Sequence, residues 1–213
     1  MPLVPSSRLF LTGAAVACLA ISVSSCGGKD APEYKFTAEQ RAWADPYAKG
    51  SVWAFRNRRG AERRYQVTEL KEKKRGYAGK SFEVQYWYHT VDATLWRQDS
   101  TSSSGSAGKY VITFAQTSEP SYGTPTEQTH CSLTWTREFY LPADLVNQQF
   151  PLPATFRLLP QATFGGRTYT DVLECTPYPE ATRLAWRITK LYYTKGDGVV
   201  GFVEEGGDTW ERQ

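Results

Sequence analysis

The sequence predicts an all-β protein, mainly antiparallel, in which a curved sheet forms a half-barrel or a β-sandwich with one short N-terminal helix. Three observations predict this fold class. The chain holds 7 Trp, 13 Tyr and 10 Phe, and aromatic residues fit the pleated, half-buried surface of a sheet. From Ser51 onward, apolar and polar residues alternate with the period of a strand. The 17 Gly and 12 Pro are spread along the chain as turn signals.

The first 25 residues have the pattern of an export signal. Arg8 precedes an apolar segment over 9–23, and two small residues then stand before Cys26. This segment is shorter than the roughly 20 residues of a membrane-spanning helix, and the polar stretch behind it gives no context for a buried core helix. The motif Val23-Ser24-Ser25-Cys26 resembles the lipobox of bacterial lipoprotein signal peptides. The resemblance implies that Cys26 becomes the mature N-terminus and carries acyl chains.

The predicted organisation is a removed signal peptide (1–25), a short solvated tether (26–35) and one β domain (36–213). Removal of the signal leaves 188 residues, 213 minus 25, which suffices for one domain with a sizeable core. The leader holds one Arg and no acid, so the mature charge is 24 minus 22, or +2. A balance so near neutral argues against a nucleic-acid partner, which requires a basic patch.

One short helix is predicted before the first strand. Thr37 and Gln40 have the spacing of a capping box, which predicts a helix over roughly 38–43. Asp45-Pro46 is expected to end it, because the residue before a proline is steered away from the helical region. Trp43 would then pack on the sheet.

The first predicted hairpin joins strands over 52–56 and 63–72 through a turn at 57–60. The charged run 71–76, Lys-Glu-Lys-Lys-Arg-Gly, is predicted to be the solvated tip of the next hairpin. An alternative is a cationic contact with anionic lipid or glycan, since clustered Lys and Arg gain attraction near such a surface.

The clearest predicted strand covers 81–90 and places Trp87 and His89 on one face. A short turn near Val91-Asp92 is expected to lead into a strand that carries Trp96. If these three aromatic side chains are exposed, they form a candidate contact surface for a sugar, a protein or an acyl chain. The alternative is that both faces of the sheet are covered, since large exposed apolar patches are uncommon.

The remaining alternation predicts further strands and hairpins. Gly165-Gly166 is a hairpin signal. The predicted strands lie at 109–116, 130–141, 162–164, 167–175, 184–194, 199–204 and 208–212.

Two cysteines, Cys131 and Cys175, are left once Cys26 is acylated and Cys18 is removed with the leader. Outside the cytoplasm, two leftover thiols usually pair, so a disulfide between Cys131 and Cys175 is predicted. The alternative is two buried thiols that act as small apolar side chains.

The sequence predicts no catalytic residue, metal site or cofactor. The two histidines are His89 and His130, and no Gly-x-Ser-x-Gly elbow is present. His130 directly precedes Cys131, so on a strand these two side chains point to opposite faces. A metal would need a third ligand that no spacing singles out.

Both ends of the predicted domain carry a recognisable pattern. Tyr169–Leu173, Leu191–Phe202 and Trp210, together with Trp43 and the run Phe55–Gly60, resemble uncharacterised cell-envelope lipoproteins of diderm bacteria. The resemblance implies a curved antiparallel sheet and no established activity.

The predicted function is that of a lipid-anchored envelope lipoprotein acting as a binding or assembly module without catalysis. Its expected location is the outer membrane, on the periplasmic or the outer surface, with the membrane as one partner and a glycan, a lipid or an envelope protein as the other. One alternative is a carrier whose concave sheet face shelters acyl chains. A second alternative is a glycan-acting hydrolase, which would need two carboxyl groups facing each other across a cleft.

Overall fold

The structure is a computed structural model, and its strands and helices determine where the candidate binding surfaces lie. The strands are β1 Glu33–Tyr34, β2 Val52–Asn57, β3 Glu62–Ala78, β4 Val84–Arg97, β5 Val111–Thr117, β6 His130–Trp135, β7 Arg137–Leu141, β8 Phe156–Phe164, β9 Arg167–Cys175, β10 Ile188–Thr194, β11 Gly198–Glu204 and β12 Thr209–Arg212; α1 spans Ala38–Arg41 and a 3₁₀ helix Ala42–Tyr47. The structure describes residues 31–80, 83–99, 111–120, 130–141, 156–177 and 186–213.

All twelve strands belong to one sheet, which curls strongly into a half-barrel. Eleven of them follow the order β7-β6-β5-β4-β3-β2-β12-β11-β10-β9-β8, and β1 pairs with β4 beside this path. The β1–β4 pair is parallel, and the other described pairs are antiparallel. The predicted fold class, a curved antiparallel sheet with one short helix, is confirmed.

The helical segment packs against the concave side of the sheet. The predicted capping box is present, since Gln40 N–H donates to Thr37 Oγ1 and Thr37 N–H donates to Gln40 Oε1. The predicted stop at Asp45-Pro46 is wrong, because the 3₁₀ helix continues through Pro46 to Tyr47. The Tyr47 ring stacks on Phe114 with centroids 4.2 Å apart. Burial of this aromatic face offsets the poor geometry of a helix that contains proline.

Aromatic side chains fill the concave side of the half-barrel. The stacked pair Trp43–Tyr193 has centroids 5.6 Å apart, and the Tyr193 hydroxyl donates to Trp43 O at 3.0 Å. The Trp135–Phe202 centroids are 4.3 Å apart. The largest fully buried side chains are Trp53, Trp135, Tyr47, Tyr65, Tyr193, Phe55, Phe114, Phe139 and Phe202, with Leu95, Ile112 and Leu133 beside them.

A buried ion pair lies among these aromatic residues. The Arg63 guanidinium donates to both carboxylate oxygens of Glu204 at 2.8 and 3.2 Å and lies 3.8 Å from the Trp210 ring centroid. Trp210 Nε1 also donates to Glu204, at 3.1 Å. Arg63, Glu204 and Trp210 therefore join β3, β11 and β12 through one carboxylate.

The β3–β4 hairpin differs from the sequence prediction. The run 71–76, predicted as a solvated tip, lies inside strand β3, and the predicted turn at Val91-Asp92 lies inside β4. Register pairs connect the two strands from Tyr65↔Arg97 to Ala78↔Val84, with irregularities at Thr68 and between Tyr77 and Ala78. The prediction failed because charged residues on both faces of an exposed hairpin hide the apolar alternation that marks a strand.

The predicted hairpin at Gly165-Gly166 is confirmed, and its outer end forms a second small core. β9 pairs with β10 only from Leu173 to Cys175, and Asp171 has φ 51°. Phe164 then packs on Tyr192 with centroids 4.7 Å apart. This cluster of Phe164, Tyr169, Val172 and Val200 is separate from the main core.

The predicted strand over 130–141 is two strands, β6 and β7. Trp135 pairs with Arg137, and Thr136 between them has φ 62°. A reversal this tight carries no Gly or Pro signal, so the alternation pattern runs through it unbroken.

Candidate binding surfaces

The three aromatic residues predicted to contact a ligand lie on two opposite faces of β4. Trp87 and His89 share the face of buried Val91, and both are partly buried. Trp96 lies on the other face, the outer face of the half-barrel, and is 53% exposed. His89 and Trp96 are also about 23 Å apart along the strand, at roughly 3.3 Å per residue. The structure therefore does not bring the three together into one site.

The outer part of the β3–β4 hairpin projects beyond the neighbouring strands. β2 pairs with β3 only as far as Gln66, and β5 pairs with β4 only from Thr90. We call the projecting part the arm: Lys74–Ala78 of β3 and Val84–His89 of β4. Among the described strands, β1 is the further element that pairs with the arm, at Trp87 and Tyr88.

Polar contacts hold β1 against the arm. Trp87 N–H donates to Pro32 O at 2.8 Å. The buried Ser118 hydroxyl donates to Tyr34 O at 2.8 Å and accepts from His89 N–H at 2.8 Å. Glu33 and Tyr34 thus belong to the sheet, although the sequence predicted that they lie in the tether.

Glu33 closes this attachment on the other side of β1. His89 Nε2 lies 2.7 Å from Glu33 Oε1, and Lys74 Nζ donates to Glu33 Oε2 at 2.9 Å. The bond with His89 and then the bond with Lys74 lower the pKa of Glu33 from 4.5 to about 2. The Lys74 ammonium also lies 4.9 Å from the Trp87 ring centroid. His89 and Trp87 therefore fasten the N-terminal strand.

The attachment of β1 is expected to weaken in acid. Because the pKa of Glu33 is about 2 in the folded chain and 4.5 when released, its contribution is complete above pH 4.5 and is lost as pH falls toward 2. The protection of the Trp87 amide from hydrogen exchange, measured relative to the unfolded chain at the same pH, should therefore fall over this interval. In Glu33→Gln that pH dependence should disappear. An equal fall in protection in wild type and Glu33→Gln would contradict the assignment.

Four tyrosines form a cluster on the opposite face of the arm. Tyr77 stacks on Tyr86 with centroids 4.8 Å apart, and Tyr34 meets Tyr86 edge-on at 5.7 Å. Burial, with the nearby Glu119 carboxylate, raises the pKa of Tyr86 to about 12. Tyr88 lies at 6.1 Å from Tyr86. The sequence alone does not predict this cluster, because its members come together only through strand pairing. The β3–β4 register places Tyr77 opposite Tyr86, and the pairing of β1 with β4 brings Tyr34 beside them.

The outer face of the half-barrel carries an exposed apolar row. The register pairs Val52 with Gln66, Gln66 with Trp96 and Trp96 with Val111. Val52 is 51% exposed, similar to Trp96. The adjacent row is made of small β-branched residues, Thr94, Thr113 and Thr134. We call Val52, Trp96 and Val111 the outer patch; of the three aromatic residues predicted to contact a ligand, it contains only Trp96.

The predicted disulfide is not formed: Cys131 and Cys175 are both buried thiols. Burial also raises the pKa of the Cys175 thiol to about 12, which suppresses the thiolate that disulfide exchange requires. The two cysteines act as small apolar side chains of the main core.

Cys26, the signal peptide over 1–25 and the first five residues of the predicted tether lie outside the described residues. Neither helix of the described ranges has the length and apolarity that crossing a membrane requires. Across the same ranges, no three His, Cys, Asp or Glu side chains come together as a metal site would need.

Comparisons with known proteins add no identity: no family model, no curated protein and no solved structure matches this chain.

Proposed function

We propose that this chain is a lipid-anchored lipoprotein of the bacterial outer membrane, facing the periplasm or the outside, and that it acts as a binding or assembly module. In this proposal acyl chains on Cys26 supply membrane affinity, and the half-barrel presents the outer patch to an envelope partner or glycan. The observation that carries the binding role is that Trp96 is 53% exposed on the outer face of the half-barrel.

The chemistry of the outer patch supports this role. Tryptophan is enriched among the residues that dominate binding energy, because it buries a large rigid surface and keeps a polar N–H. Val52 and Val111 extend the apolar row on either side of Trp96 and Gln66. Thr113 and Thr134 beside it are exposed and add hydroxyl groups on the same face. An apolar centre with a polar border is the usual composition of a protein interface.

The filled concave side weighs against the carrier alternative. A carrier needs an apolar space for acyl chains, whereas Trp53, Phe55 and Tyr65 on this side are all fully buried among the chain's own residues. The hydrolase alternative stays a prediction that would need two carboxyl groups facing each other across a cleft.

The proposal is tested in a chain expressed in a diderm bacterium, with a photoreactive amino acid in place of Thr113, which lies in the row beside the outer patch. The chain with this single replacement should fractionate with membranes, carry acyl mass on Cys26 and form a discrete cross-linked product. Cys26→Ala should lose the acyl mass and the membrane association.

Trp96→Thr should stay in the membrane and lose most of the cross-link, since removal of a central tryptophan typically costs about 2 kcal/mol or more of binding. The matched control is Leu158→Thr on edge strand β8, where Leu158 is 48% exposed, and its cross-link should be unchanged. Equal cross-linking in the two variants would refute the binding surface. Membrane association of Cys26→Ala without acyl mass would refute the anchor.

A further inference from the structure

The direction of β1 determines where the N-terminal segment leaves the domain. We call the described residues Lys80, Glu83 and Val84, between and at the start of the two strands of the arm, its tip. β4 runs from this tip toward the body of the sheet, and β1 pairs with it in parallel, Glu33 with Trp87 and Tyr34 with Tyr88. A parallel strand runs the same way as its neighbour. Ala31 and Pro32, which precede β1 in the described chain, therefore lie toward the tip of the arm, on the side away from the half-barrel.

The distance from this exit to the acylated residue is short. Five residue steps separate Cys26 from Ala31, and a fully extended chain covers at most about 18 Å over five steps. This step rests on the proposed acylation of Cys26. With the acyl chains in a bilayer, the tip of the arm is the described part of the domain that the tether holds nearest to the membrane.

The side chains at the tip suit the headgroup layer. Lys80 is exposed, Val84 is 36% exposed, and the stacked rings of Tyr77 and Tyr86 lie just behind them. Aromatic rings with a polar end and lysine are favoured at the boundary between water and lipid. Glu83 balances Lys80 in charge, so the tether, rather than net attraction, sets the position of the tip.

We propose that the arm is a membrane-contacting strut. Its tip lies among the phospholipid headgroups of the bilayer that holds Cys26, and the arm keeps the body of the half-barrel off that bilayer. From Lys80 to the level of Lys73, where the body begins, the strand spans about 23 Å, at roughly 3.3 Å per residue. Trp96 lies about 40 Å from Val84 on the same scale, so the outer patch stands clear of the membrane.

The test compares two labels on the acylated chain, purified from membranes and reconstituted into vesicles of phosphatidylethanolamine and phosphatidylglycerol. Lys80→Cys and Arg58→Cys each receive the same environment-sensitive fluorophore. Both positions are exposed, and Arg58 lies in the turn at the opposite end of β3. Cys131 and Cys175 are buried, so the thiol reagent labels the introduced cysteine and not these two.

Nitroxide groups on the lipid heads should quench the fluorophore at residue 80 at least roughly twice as strongly as the fluorophore at residue 58, because about 50 Å of strand separates the two positions. Combining Ser118→Ala with Glu33→Gln removes contacts that fasten β1, and in this variant the difference between the labels should shrink while the chain still floats with the vesicles. Equal quenching at 80 and 58 in the otherwise unmodified chain would overturn the strut. Failure of the chain to float would instead overturn the lipid anchor, so the two failures are distinguishable.

Discussion

Glu204→Ala is expected to lower the free energy of unfolding by about 3–5 kcal/mol, because it leaves the largely buried Arg63 guanidinium without its counter-charge. In the folded chain Glu204 accepts two bonds from Arg63 and one from Trp210. Its side chain is 7% exposed and that of Arg63 is 16% exposed, so water replaces little of what is lost. Urea unfolding followed by tryptophan fluorescence measures the change.

The matched control is Glu62→Ala at an exposed carboxylate that also binds arginine. Glu62 accepts from Arg64 at 2.5 Å and from Arg56 at 3.3 Å. Because solvent screens these pairs, the loss should be much smaller than that at Glu204. Glu204→Gln, which keeps the shape and an acceptor without the charge, should fall between wild type and Glu204→Ala. If Glu62→Ala and Glu204→Ala lower the free energy of unfolding by similar amounts, burial does not determine how strongly the Arg63–Glu204 pair stabilises the fold.

Gly198→Ala is expected to lower the free energy of unfolding by about 2–5 kcal/mol, the sum of backbone strain and overpacking. Gly198 has φ 77°, and an added Cβ would lie 2.8 Å from the Trp53 ring and 3.1 Å from Pro46 Cβ. Trp53 is fully buried and cannot move aside. The variant should also disturb the packing of the 3₁₀ helix, which near-ultraviolet circular dichroism would detect.

Gly166→Ala separates the cost of backbone strain from the cost of overpacking. Gly166 has φ 80°, and nothing lies within 4 Å of the position of an added Cβ. It should therefore cost only the backbone strain, about 1–2 kcal/mol. If Gly198→Ala costs no more than Gly166→Ala, the close approach to Trp53 has no energetic consequence.

The C-terminal pattern that resembles envelope lipoproteins has structural roles in this chain. Tyr193 is buried in the main core, and its neighbour Tyr192 packs against Phe164 in the second cluster. Asp197, which departs from the pattern, pairs with Arg167 at 3.0 Å. Its backbone N–H donates to Thr194 Oγ1 at 3.2 Å, so the turn accommodates aspartate.

The candidate site was only partly predictable, and the reason lies in the register. Alternation on one strand correctly grouped Trp87 with His89. The grouping with Trp96 assumed a turn at 91–92, and without that turn the parity of β4 puts Trp96 on the outer face. The partners of Trp87 and His89, among them Glu33, come from a strand more than fifty positions earlier in the chain.

The sequence by itself determined what depends on neighbouring residues: the capping box at Thr37 and Gln40, the hairpin turns at 57–60 and 165–166, and the alternation that marks the strands. These features follow from local backbone geometry and side-chain period, which a few residues specify. The tertiary structure decided the length of the β3–β4 hairpin, the attachment of β1, the separate faces of Trp87 and Trp96 and the absence of a disulfide between Cys131 and Cys175. Each of these depends on which distant segments meet, and that is settled by packing across the whole sheet.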